Sequence, residues 1–186
     1  ILSFGGIKKP DKVVNLLRLL AFQIGQEVSI SELASNLSIN YRTVEKYLDL
    51  LEKAFVIYKV QGFSRNLRKE IVKNHRYYFY DNGIRNALIE NFNRLELRND
   101  KGQLWENFLF IERLKYNHYK NQRANYYFWR TYDQKEIDLI EERGGKLYGF
   151  EFKWKGKINQ TVKNEFIETY PKSKVKTINQ QNYISF

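Results

Sequence analysis

Cysteine is absent from this sequence, which removes disulfides, thiolate zinc sites and a cysteine nucleophile together. The two histidines, His75 and His118, lie far apart without ligand spacing, so a metal centre here has to be hard and oxygen-bound. Methionine is also absent and the sequence starts at Ile1, which reads as a piece of a longer protein. No apolar run approaches the ~20 residues needed to span a bilayer. The opening Ile-Leu-Ser-Phe-Gly-Gly-Ile is too short and too soon followed by lysine for a signal segment. No membrane association and a cytoplasmic location are therefore expected. The phosphate loop Gly-x4-Gly-Lys-Ser/Thr does not occur, so this stretch carries no P-loop. Acid is scarce beside base, with 21 Asp and Glu against 32 Lys and Arg and a net charge of +11.

What is present most informatively is the stretch from Lys135 to Lys155. Apolar and polar residues alternate on both sides of Gly144-Gly145, the pattern of a hairpin closed by a two-residue turn. With that turn, Arg143 faces Lys146 and, stepping back, Asp138 faces Glu151. Period-two alternation then predicts one face carrying Glu136, Asp138, Glu151 and Lys153. The other becomes an apolar wall of Ile137, Leu139, Tyr148, Phe150, Phe152 and Trp154. Opposed carboxylates repel, and a divalent cation relieves the conflict: Mg²⁺ takes one or two carboxylates plus water and substrate phosphate. Lys153, on the same side, is suited to orienting an attacking water or neutralising charge developing on a phosphate. A solvated polar face on an exposed hairpin is the alternative.

Asp138 followed by Glu151-Phe152-Lys153, with a preceding helix carrying Trp105-Glu106-Asn107, resembles the restriction-endonuclease-like superfamily with its Asp plus Glu-x-Lys core. The closest likeness is to the C-terminal region of archaeal and bacterial AAA-type P-loop ATPases, where a winged helix precedes a nuclease-like domain of unknown function. Further matches are Tyr80-Asp81-Asn82-Gly83, Phe128-Trp129-Arg130-Thr131 and Glu136-Ile137-Asp138, from about Ser29 to Phe186. The resemblance implies a catalytic set of Glu106, Asp138, Glu151 and Lys153. It assigns Mg²⁺ or Mn²⁺ to Asp138 and Glu151, with the Phe152 carbonyl as a further oxygen. It also implies a P-loop ATPase domain upstream in the full-length protein. Nuclease-like folds also serve as inactive binding modules, so a non-catalytic DNA- or protein-binding module regulating its ATPase is the alternative reading.

The N-terminal half organises around a helix-turn-helix. Val13, Leu16, Leu17, Leu20 and Ala21 recur at helical spacing over Asp11 to Gln23, with Gly25 as a left-handed stop. Ser29 to Leu37 is the second helix, Ser38-Ile39-Asn40 the turn and Tyr41 to Phe55 the third helix. Phe55 to Val60 and Arg76 to Tyr80 read as wing strands. Asn40, Tyr41, Arg42, Thr43 and Lys46 cluster at the start of the third helix, where a recognition helix meets base edges and phosphates. Glu45, Asp49 and Glu52 give the same helix an acidic side, compatible with a protein-docking role.

The charge points to a polyanion, and double-stranded DNA is the expected partner. Arg65, Arg68, Lys69, Lys73 and Arg76 fall within twelve residues that hold one acid, Glu70, and Lys155, Lys157 and Lys163 follow the Glu-x-Lys motif. An AT-rich genome would raise lysine content without any selection for binding. The expected fold class is α/β (α+β), a winged helix-turn-helix over residues 1–90, a linker over 91–101 and a restriction-endonuclease-like α/β sandwich over 102–186. Its elements are a helix from Gly102, strands from Tyr126, Lys135 and Lys146, a helix from Gln160 and a strand from Lys174 beside the third.

Overall fold

The computed structural model describes residue 7 and residues 9–65, 74–156 and 159–186. It is a mixed α and β chain with six α-helices and seven strands among the described residues, the strands ordered β1-β3-β2-β4-β5-β6-β7. Two compact units divide it, one of Ile1–Lys59 and His75–Arg98, the other of Val60–Asn74 and Asn99–Phe186. The first unit thus runs on to Arg98 through residues read as linker, while residues 60–65 and 74 go with the second.

In the first unit, α1 (Pro10–Phe22) starts with proline at a position where its missing N–H costs nothing. A two-residue β1 (Glu27–Val28) follows, then α2 (Ile30–Leu37) and α3 (Tyr41–Lys53). Ser29 caps α2 by accepting from the Glu32 amide, and Asn40 caps α3 by accepting from the Arg42 amide at 2.8 Å. Ser38 between them takes a left-handed φ of 51°, which ends α2 sharply. Leu16, Leu20, Leu33, Val44, Leu48 and Leu51 meet in one core, as their helical spacing requires. That core also takes Ile57 of β2 (Ile57–Gly62) and Phe79 of β3 (His75–Phe79). The Asp81 carboxylate caps α4 (Asn82–Leu88), and a short 3-10 turn covers Leu95–Leu97.

The second unit opens with α5 (Lys101–Tyr119) and β4 (Asn125–Arg130). Hairpin strands β5 (Glu136–Arg143) and β6 (Lys146–Phe152) follow, then α6 (Gln160–Thr169) and β7 (Lys174–Ile178). Gly144 and Gly145 both take positive φ, 54° and 70°, as a type I′ hairpin turn demands. Arg143 pairs with Lys146 and the register runs back without a slip to Leu139 opposite Phe150. β7 lies parallel beside β6, and the last residues of β2 run parallel to β4, Gln61 beside Tyr127 and Gly62 beside Phe128. The strand read as ending the wing at Val60 therefore extends two residues and joins this unit's sheet.

The division into a charged face and an apolar wall does not hold along β5. Tyr127 pairs with Ile140 but Trp129 pairs with Ile137, so Asp138 and Leu139 together oppose Phe128 in a β-bulge. The extra residue resets the alternation. Ile137 and Ile140, three apart, join the same cluster with Trp129, Leu147 and Phe166, away from the Phe150 and Phe152 rings that pack on Phe186. Every residue from Ile137 to Glu141 is buried, so both faces of β5 are covered. Trp154 falls beyond the end of β6 and packs edge-on to Trp105 at 5.4 Å.

Candidate functional site

Asp138 and Glu151 are brought together where the β5–β6 ladder ends. Both are about 95% buried. Past the Leu139–Phe150 pair the Phe152 amide no longer serves the ladder and donates instead to Asp138 Oδ2 at 2.7 Å. In an extended strand the N–H and C=O of one residue point the same way, which puts the Phe152 carbonyl on the Asp138 side of β6. Glu151 Oε1 receives the Lys153 ammonium at 2.6 Å, while Glu151 Oε2 is buried with no hydrogen-bond partner. Lys153 spans both worlds, with its side chain 41% exposed and its backbone N–H anchored on the Ile178 carbonyl.

These placements carry an electrostatic conflict. Burial and the neighbouring Asp138 charge push the Glu151 carboxyl up to about 7, only partly offset by Lys153, and Glu136 adds to the repulsion. Partial burial on its own would lower the Lys153 ammonium, but the hydrogen bond and charge of Glu151 outweigh it and the group is held above its ordinary value. The fourth residue implied by the resemblance, Glu106, sits half-buried in the first turns of α5, between buried Trp105 and buried Asn107. Glu136 is the third acid in the field of Glu151.

A hard cation suits this donor set. An orphaned carboxylate oxygen, a second buried carboxylate and a nearby backbone carbonyl match the oxygen-only shell that Mg²⁺ completes with water. Among the described residues no group of three acids or histidines gathers around one point, so protein ligands would number two carboxylates.

The residues expected at DNA fall out differently. Arg42 and Lys46 are exposed on α3, as is Tyr41, while Thr43 is half-buried. Thr43 and Lys46, with Lys9, Ser38 and Asn40, line a shallow cavity of about 410 Å³ at the start of the helix. The Asn40 side-chain oxygen is committed to its cap. Arg65 is not a free wing cation: its guanidinium pairs with Glu142 at 2.9 Å, and its amide donates to the Tyr170 hydroxyl. Arg76 is buried in β3 and is not available to a phosphate backbone. Arg68, Lys69, Lys73 and Lys157 lie outside the described residues.

Sequence reasoning missed a second buried charge centre. Glu141, fully buried, accepts from Arg113 Nε at 2.5 Å and Nη2 at 3.1 Å and from Asn117 Nδ2 at 2.9 Å, and also pairs with Arg143. Beside a Gly-Gly turn, the run Glu141-Glu142-Arg143 looks like a solvated flank, and nothing local announces that α5 covers it.

Residues 1–95 match the family model described as Domain of unknown function (DUF8612), and residues 101–184 match the one described as Domain of unknown function (DUF4143). The chain belongs to the DUF8612 family and carries a DUF4143-like region after it, the two matches meeting just before α5. It is similar to the uncharacterized protein Rv2008c of Mycobacterium tuberculosis, 36% identical over 137 residues that make up 73% of this chain and 30% of that protein. The uncharacterized protein Mb2031c of Mycobacterium bovis gives the same figures. An uncharacterized protein of Haemophilus influenzae is 30% identical over 152 residues, 76% of this chain and 34% of its own. The chain spans about a third of the length of these curated relatives. No solved structure matches it.

Proposed function

We propose that this chain is a DNA-binding region with a divalent-metal-dependent phosphodiesterase site at Asp138, Glu151 and Lys153, part of a longer ATPase-bearing protein. The observation that carries it is the unpartnered, buried Glu151 Oε2 beside Asp138. An uncompensated carboxylate oxygen in a dry site costs several kcal/mol in isolation, and such a cost is tolerated where a ligand removes it. Asp138 and Glu151 would hold Mg²⁺ or Mn²⁺, with the Phe152 carbonyl. When bound, the ion supplies Lewis-acid stabilisation of phosphoryl charge and a more acidic water. Asp138 is held in place by the Phe152 amide. Lys153, reaching from solvent onto Glu151, neutralises charge that grows on a phosphate and orients the water near it. Arg42 and Lys46 on α3 contribute salt-dependent contacts to a duplex. The winged-helix and nuclease-like readings of the two units, and a cytoplasmic setting, belong to this same proposal. The shortness of the match against its relatives leaves room for the upstream ATPase.

A labelled duplex incubated with Mg²⁺ or Mn²⁺ tests the site. Cleavage by the wild type, lost in Lys153→Ala and in Asp138→Asn by at least about 10²-fold, is the expected result. Wild-type rates in either variant would overturn it. The second reading, a non-catalytic module that binds DNA or protein and regulates its ATPase, is favoured by the 2.6 Å Lys153–Glu151 pair, which already occupies one ligand oxygen. It predicts duplex binding with no metal-dependent breakage.

A further inference from the structure

On the other side of β6 from the Glu151 side chain, the second unit holds a cavity of about 400 Å³. Leu147, Gly149 and Glu151 alternate with Tyr148 and Phe150, and it is the latter pair that lines this space. Four cations surround it, Arg113, Arg143, Lys174 and Lys176, and no acid is among its lining residues. Glu141, buried beneath, serves both arginines, while Arg113 also donates to the Phe186 main-chain oxygen and Arg143 to the Gln122 side-chain oxygen, so the phosphate falls to the lysines. Lys174 and Lys176 are exposed on β7, two residues apart and therefore on one side of the strand, roughly 7 Å from each other. Register sets Lys174 beside Tyr148 and Lys176 beside Phe150, so cation and ring alternate across the floor. The rings are already used as π surfaces. Arg143 stacks 4.2 Å from the Tyr148 centroid, and Arg113 lies 4.7 Å from Phe186 and 5.3 Å from Tyr116. Gln122, Asn182 and Ser185 complete the lining: Gln122 accepts from Arg143, the Asn182 side-chain amide bonds the Asn179 N–H and the Thr177 carbonyl, and the Ser185 hydroxyl donates to the Asn182 carbonyl.

We propose that this cavity is a binding site for a nucleoside phosphate, the phosphate held by Lys174 and Lys176 and the base stacked against the Tyr116, Tyr148 and Arg143 surfaces. Several features select this class. Surplus positive charge takes an anion. The rings and guanidinium planes take a flat aromatic group, as they do in recognition of unstacked bases. The volume lies in the range of roughly 300–1,000 Å³ usual for small-molecule sites. A bare phosphate or an aliphatic acid would engage the cations alone. The same chemistry is offered by a free nucleotide and by the 5′-phosphorylated terminal nucleotide of a strand.

Calorimetry on the 186-residue chain in EDTA decides it, with ADP, adenosine, pyrophosphate, and a DNA hexamer bearing either a 5′-phosphate or a 5′-hydroxyl. ADP or the 5′-phosphorylated hexamer should bind with Kd on the order of 10 to 100 μM, and at least about tenfold more tightly than adenosine, pyrophosphate and the 5′-hydroxyl hexamer. Binding of ADP assigns the free nucleotide, and binding of the phosphorylated hexamer alone assigns the strand end. The double substitution Lys174→Glu, Lys176→Glu, at two exposed strand positions, should weaken that binding at least tenfold with the circular dichroism unchanged. Tyr116→Ala should weaken it separately. Asp138→Asn should leave it intact, which separates this site from the phosphodiesterase reading. Pyrophosphate as good as ADP, full affinity in the lysine double variant, or no binding below about 1 mM would each overturn the proposal.

Discussion

The Phe152 amide donates to Asp138 Oδ2 at 2.7 Å, and both residues are buried. The bond fastens β6 to β5 one step past the end of their ladder, so Asp138 holds structure as well as charge. Removing the acceptor leaves a buried N–H unsatisfied. Asp138→Ala should cost about 1–3 kcal/mol of stability by urea unfolding, whereas Asp138→Asn, which keeps an acceptor oxygen, should cost less than about 1 kcal/mol. Both should lose Mn²⁺ binding in calorimetry. Asn is accordingly the variant in which lost activity reports on chemistry.

Glu151 makes stability depend on pH in a defined direction. Its carboxyl is raised from 4.5 to about 7 by burial first and the Asp138 charge second. Below pH 4.5 both native and unfolded chains carry the proton and the group contributes nothing. Between 4.5 and about 7 the native state binds the proton more tightly, so stability falls as pH rises, and above 7 the full cost is present. Glu151→Gln should therefore be more stable than the wild type by about 1–3 kcal/mol at pH 8, with the gap closing at pH 4.5. Urea midpoints at the two pH values check this; an equal difference at both would reject the cause.

Glu141 is buried with its charge matched by arginine. It is the common acceptor for Arg113 and Asn117 and pairs with Arg143. Glu141→Ala leaves the buried Arg113 guanidinium without its carboxylate, and breaking such a pair from one side costs about 3–5 kcal/mol. A melting curve shifted by less than the error of measurement would show that Arg113 finds solvent instead.

Gly149 is a packing requirement on β6. A Cβ built there would meet Val175 Cγ2 at 3.3 Å and both Ile137 Cγ2 and Ile140 Cδ1 at 3.4 Å. Those two isoleucines converge on the glycine because the bulge puts them on one face. Gly149→Val should destabilise by about 1–3 kcal/mol, and Gly149→Ala by less, in chemical denaturation.

Arg42 and Lys46 are exposed where α3 begins. Fluorescence anisotropy with a duplex across a salt series should show each alanine variant binding more weakly at all sequences. The slope of log K against log salt should shrink by about 1 per residue that contacts a phosphate. Unchanged slopes in both variants would move the interface elsewhere.

Local patterns in the chain were enough for much of this architecture. Helical spacing of leucines, the turn Ser38-Ile39-Asn40 between α2 and α3, the Gly144-Gly145 turn and the hairpin register through Leu139 and Phe150 all depend on neighbours a few residues away, and the order of elements in the second unit follows from them. The nearness of Asp138 to Glu151 was legible from turn length, since the hairpin register runs unbroken to Leu139 and Phe150, the residues next to them. Tertiary structure alone decided the bulge at Asp138–Leu139, because an extra residue is defined only against Phe128 of another strand. It alone buried Arg76, paired Arg65 with Glu142, closed α5 over Glu141 and covered both faces of β5. Each of these turns on which distant surface comes to rest on a residue. A charged side chain on an alternating strand is written the same way whether water or another layer of protein lies over it.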